Sequence, residues 1–122
     1  MFIDKPITIT EEDAAKFMKE LSENNIRVCG GSVCVFADLV AELKNIVATE
    51  SEGKIYGGYL RTPVDLENPY GNFFFYSQHL VEVMCEIFGY YPKSVMAFKK
   101  EKAINCTVRY DFTDGKLEYR RV

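Results

Sequence analysis

The sequence predicts an α/β protein with an α+β second half: a βαβα layer, then a mixed or antiparallel sheet with a helix packed on it. Three patterns predict this. Two stretches repeat apolar residues at helical spacing, each beside a short apolar run, in the order strand, helix, strand, helix. The connections are short, which suits a parallel sheet covered by helices. From Ile104 to Phe112 apolar residues stand at every second position, the period of a strand with one buried face.

Phe2-Ile3 reads as a short strand that stops at Pro6, because proline has no N–H to donate. Thr10 is placed to cap a helix, with Glu11, Glu12 and Asp13 in the first turn where the helix dipole favours anions. Ala14, Phe17, Met18 and Leu21 form its apolar stripe, and Asn24-Asn25 ends it. Ile26 to Cys29 reads as the second strand, broken by Gly30-Gly31. Phe36, Leu39, Val40, Leu43 and Val47 make a second helical stripe.

Lys54 to Arg61 reads as a strand interrupted by Gly57-Gly58, and Thr62 to Gly71, with Pro63 and Pro69, as a loop long enough to suspect a function. A helix opens at Phe73-Phe74-Phe75-Tyr76, turns Leu80, Val83, Met84 and Ile87 inward, and stops at Gly89. Val95 to Lys100 is a strand, the alternating run follows, and Asp114-Gly115 signals a hairpin that leads to Leu117 and Tyr119.

A chain of 122 residues is expected to form one compact body that buries roughly two thirds of its unfolded surface. Its 48% apolar and 27% charged content is that of a globular protein. No apolar run approaches the ~20 residues of a membrane span, and Met1 to Thr10 has no hydrophobic block of a signal peptide. Cys29, Cys34, Cys85 and Cys106 form no C-x-x-C pair, and one histidine makes a zinc site a poor fit. Each lies in an apolar stretch, so buried free thiols in a cytoplasmic setting are expected. Residues 1–92 hold 7 basic and 14 acidic side chains, residues 93–122 hold 8 and 4. The basic residues alternate with apolar ones, which reads as a solvated sheet face rather than a nucleic-acid surface.

Little in the chain carries chemistry by spacing alone. No G-x-G-x-x-G is present. Gly30-Gly31-Ser32 precedes a helix, so its amides could hold an anion, though Gly-Gly before a helix is common. His79 is the only histidine. Phe75, His79, Glu82 and Glu86 share a helix face, where a carboxylate at i+3 could orient the imidazole as a general base; the plainer reading is a boundary histidine beside a glutamate. Lys5, at the end of a strand and before proline, either points into a ligand crevice or is an exposed turn lysine.

In order and separation, several segments resemble the glucose–fructose oxidoreductase/inositol dehydrogenase (Gfo/Idh/MocA) family. Phe2-Ile3-Asp4-Lys5-Pro6 is similar to its strand ending in Glu/Asp-Lys-Pro, and Tyr70 to Gly89 to its helix with a histidine. The resemblance implies that residues 1–50 are the end of a Rossmann-like nucleotide-binding domain, a remnant without its glycine fingerprint. Residues 51–122 would then be a partial substrate and dimerisation domain. It further implies Lys5 and His79 as catalytic residues, with Tyr76 and Glu82 on the substrate and Lys5 and Pro6 near the cofactor. No metal is implied, and Phe75 stands where many members have an aspartate. The implied function is part of an NAD(P)-dependent oxidoreductase acting on a sugar-like or cyclitol-like hydroxyl. NAD or NADP would serve the whole enzyme and none this chain alone, and a homodimer would form through the C-terminal sheet. The alternative is a non-catalytic α+β binding or dimerisation module.

Overall fold

The structure, a computed structural model, describes residues 1–113 and 116–117. Among the described residues, helices are mixed with three two-stranded sheets. β1 (Phe2–Asp4) runs parallel to β2 (Cys29–Gly31), with α1 (Glu11–Glu23) between them in sequence. A 3-10 turn (Val33–Phe36) leads into α2 (Asp38–Thr49), and a long irregular stretch precedes α3 (Phe73–Phe88). β3 (Ser94–Lys100) and β4 (Ala103–Arg109) form an antiparallel hairpin, and β5 (Phe112–Thr113) pairs with β6 (Lys116–Leu117). The hairpin expected at Asp114-Gly115 and the continuation through Tyr119 lie outside the described residues.

Local chemistry sets the helix ends. The Thr10 hydroxyl accepts from the Asp13 amide at 3.1 Å, so α1 starts where a cap satisfies a free N–H. Gly89, at φ +104°, ends α3. Glu50 closes α2 in the left-handed region.

Several expectations need correcting, among them the single strand at 104–112, which the structure divides into β4 and β5. The second strand is Cys29–Gly31, not Ile26–Cys29. Its position is set by its partner: Gly30 crosses β1 so closely that a Cβ there would sit 1.8 Å from the carbonyl oxygen of Ile3. Residues 54–61 form no strand, because no other strand pairs with them, and Tyr56 and Tyr59 stand exposed. The stripe on α2 is mostly open: Val40 is buried, while Leu39 and Leu43 are exposed and Phe36 belongs to the 3-10 turn. Finally, Cys29, Cys34 and Cys106 are exposed and Cys85 is half-buried, because little packs over the stretches that carry them.

Val40 and Ile87 are the buried apolar side chains among the described residues, and they lie on the two helices that pack together. The chain exposes 9689 Å². A folded monomer of this mass exposes about 6,700 Å², and its unfolded chain about 20,000 Å². About half of the surface is therefore buried, less than the two thirds expected from length. The open area includes the apolar face of α1, which lines a groove of about 690 Å³ with Ile26 and Val28. Among the described residues no helix is long and apolar enough to cross a membrane.

Candidate functional site

The polar side chains of α3 gather on the face that meets the 3-10 turn and α2. His79 and Glu82 are one helical turn apart and both end on Ser32. The Ser32 Oγ lies 2.5 Å from His79 Nδ1. The Ser32 amide donates to Glu82 Oε2 at 2.7 Å, and Gln78 Nε2 donates to Glu82 Oε1 at 2.6 Å. Cys34 adds its amide to Ser32 Oγ at 3.1 Å and its thiol within 3.6 Å of His79 Nδ1. A turn further along α3, Lys44 from α2 and the Tyr90 hydroxyl both donate to Glu86, Tyr90 at 2.6 Å. The Lys44 bond first, and then the Tyr90 bond, hold the Glu86 carboxyl below the usual carboxylate range. The same carboxylate pushes the Tyr90 phenol up.

Two glycines shape this cluster. Gly30 permits the crossing of β1. Gly31 lies at φ +103°, and a Cβ there would meet Glu82 Oε2 at 2.4 Å. Glu82 reaches the Ser32 amide through the space that a side chain at 31 would fill.

The expected site residues divide into two groups. Lys5 docks on the first turn of α3: its ammonium donates to the Phe75 carbonyl at 3.0 Å and lies 4.1 Å from the Phe75 ring centre and 5.5 Å from that of Tyr76. Tyr70, at the end of the long loop, lies 6.4 Å from Phe75. Lys5, Tyr76 and the loop end thus meet at the start of α3, with Pro6 following through a cis peptide bond. His79 and Glu82 form the second group, about 6 Å further along the axis by the rise of an α-helix. Glu82 accepts from Ser32 and Gln78, not from His79, so the expected glutamate–imidazole pair is replaced by a serine–imidazole pair. Sequence reasoning missed Ser32 and Cys34 as partners of His79. Their signal was only a serine before a 3-10 turn, which normally means a cap, and Ser32 does cap that turn.

Of the Gly30-Gly31-Ser32 run, the Ser32 amide meets an anion, and it is the chain's own Glu82 carboxylate. A dinucleotide pyrophosphate does not fit there, since the Ser32 amide is used and a second negative charge would face the first. Among the described residues no group of three or more His, Cys, Asp or Glu could hold a metal ion. Compared with protein families, curated proteins and solved structures, the chain matches none.

Proposed function

We propose that this chain is the substrate-side part of an NAD(P)-dependent oxidoreductase acting on a sugar-like or cyclitol-like hydroxyl. The observation that carries the reading is the seating of Lys5 on the Phe75 carbonyl, one helical turn before His79. A cation from the end of β1 and an imidazole from α3 thereby stand on neighbouring turns of one helix. A polyol presents closely spaced hydroxyl oxygens, which suit such a pair of polar groups with the Tyr76 ring beside them. These residues bind and orient; the nucleotide has no cradle in Gly30-Gly31-Ser32.

Calorimetric titration of the purified chain with myo-inositol, with glucose and with NADH or NADPH tests this. The expected result is weak saturable polyol binding, lost in Lys5→Met and His79→Gln, and no heat from NADH or NADPH. Polyol binding that is absent, or equal in parent and variants, removes Lys5 and His79 from a substrate site. Tight stoichiometric binding of NADPH would mean that the nucleotide is held by another route.

A second reading, a dimerisation module built on the C-terminal sheet, is favoured by a different observation. Every residue of β3 is exposed, Val95, Met96 and Phe98 among them. The excess of about 3,000 Å² over a folded monomer exceeds the ~800 Å² that each partner of a stable interface covers. The two readings are compatible, because β3 lies apart in sequence from Lys5 and His79.

A further inference from the structure

We infer that Ser32 is a positioning residue that holds neutral His79 with its ring proton on Nε2, so that the outward edge of the imidazole is an N–H donor for a carbonyl or alkoxide oxygen of a ligand. The ligand half of this inference rests on the substrate-side reading of His79; the tautomer half stands on geometry alone.

The argument is a count of donors and acceptors. A serine hydroxyl has one proton and two lone pairs, and a neutral imidazole has one N–H and one bare nitrogen. Ser32 is 1% exposed, so water does not reach its hydroxyl. One lone pair already accepts the Cys34 amide at 3.1 Å. Suppose that Nδ1 carried the proton and donated to Oγ. The oxygen would then accept twice, and its own proton would have no acceptor among the described residues, a buried unpaired donor of the kind folded proteins avoid. If the hydroxyl instead donates across the 2.5 Å to Nδ1, every group is satisfied.

Nothing else in the cluster competes for that role. The Ser32 hydroxyl makes no bond to Glu82, whose oxygens take the Ser32 amide and Gln78. The Cys34 thiol, 3.6 Å from Nδ1, is at best a second weak donor to the same nitrogen. Nδ1 is therefore the acceptor, and the proton of the neutral ring sits on Nε2, which has no hydrogen-bond partner among the described residues. The partner of one ring nitrogen sets the role of the other. A neutral His79 of this kind presents a proton to an oxygen and does not remove one. In the proposed reaction it suits the carbonyl side, where an oxygen needs a donor.

The single histidine makes the test direct. In chain labelled with ¹⁵N-histidine, at a pH where the ring is neutral, two-bond ¹⁵N–¹H correlation should give a pyridine-type shift at Nδ1 and a pyrrole-type shift at Nε2. Ser32→Ala should move both signals toward the averaged positions of a tautomer mixture. Ser32→Thr, which keeps the hydroxyl, should retain the parent pattern. A pyrrole-type Nδ1 in the parent overturns the inference, as does a Ser32→Ala spectrum identical to the parent's. If Ser32→Ala does not fold, the parent and Ser32→Thr spectra decide. The polyol titration fails or succeeds independently of these spectra, so a wrong substrate class and a wrong tautomer are told apart.

Discussion

Replacing Gly31 by alanine should destabilise the chain by about 2.5–5 kcal/mol, and the cost divides into two separable parts. The first is backbone: at φ +103° an L-residue carries a left-handed penalty of roughly 1–2 kcal/mol. The second is polar. The new Cβ would lie 2.4 Å from Glu82 Oε2, the mobile end of a flexible side chain, so the carboxylate swings away rather than clashing. That movement breaks its 2.7 Å bond from the Ser32 amide, a hydrogen bond to a charged group worth roughly 1.5–3 kcal/mol. The bond is part-buried, which favours the lower end. A double-mutant cycle separates the parts: with Glu82→Ala already present, Gly31→Ala should cost only the backbone part, about 1–2 kcal/mol. The assay is urea unfolding followed by circular dichroism, with the slope checked for constancy so that midpoints report stability. Equal costs of Gly31→Ala in both backgrounds, within about 0.5 kcal/mol, would mean that the Gly31–Glu82 approach is not a feature of the folded chain.

Alkaline pH should weaken the fold. Burial, chiefly, raises the Cys85 thiol and pushes the Tyr110 phenol up to about 12. The Tyr110 hydroxyl is buried beside Cys85. Raised folded values mean that the folded state holds these protons longer than the unfolded one. Their contribution is whole below the ordinary thiol and phenol ranges and declines as pH rises toward about 12. Tyr110→Phe should flatten the decline above pH 10 in unfolding measured at a series of pH values; an unchanged slope would clear Tyr110 of the effect. For assembly, multi-angle light scattering should give a two-chain mass for the parent and a one-chain mass for Val95→Lys, and a one-chain parent at high concentration would count against the sheet dimer.

What the sequence disclosed was local. The Thr10 cap and the Gly89 stop each depend on neighbours a few residues away, and each appears where the pattern put it. The alternating run from Ile104 to Phe112 is instead cut at Arg109, with Cys106 on its expected buried face exposed. Features that depend on distant partners were misplaced. β2 falls on Cys29–Gly31 because Gly30 can approach Ile3, and no window around residue 29 contains Ile3. The apparent strand at 54–61 had suitable residues and no neighbour to bond. At the candidate site, helical spacing correctly placed His79 and Glu82 on one face of α3 but misassigned the partner. The i+3 carboxylate found an unfilled backbone amide 50 positions away, and the imidazole found a hydroxyl 47 positions away. A spacing rule within one helix has no access to either.

The double attachment of α3 to Ser32 bears on how this sequence can drift. Two polar bonds from successive turns of one helix to a single residue act as a key in a slot. Turning the helix about its axis, or sliding it by a residue, breaks both at once. Orientation is thus set by directional bonds, while Leu80, Val83 and Met84 are only half-buried. Apolar exchanges at those three positions should change how firmly the helix is held far more than where it points. Exchanges at Gly31, Ser32, His79 and Glu82, whose geometry tolerates few alternatives, should instead change where the helix points.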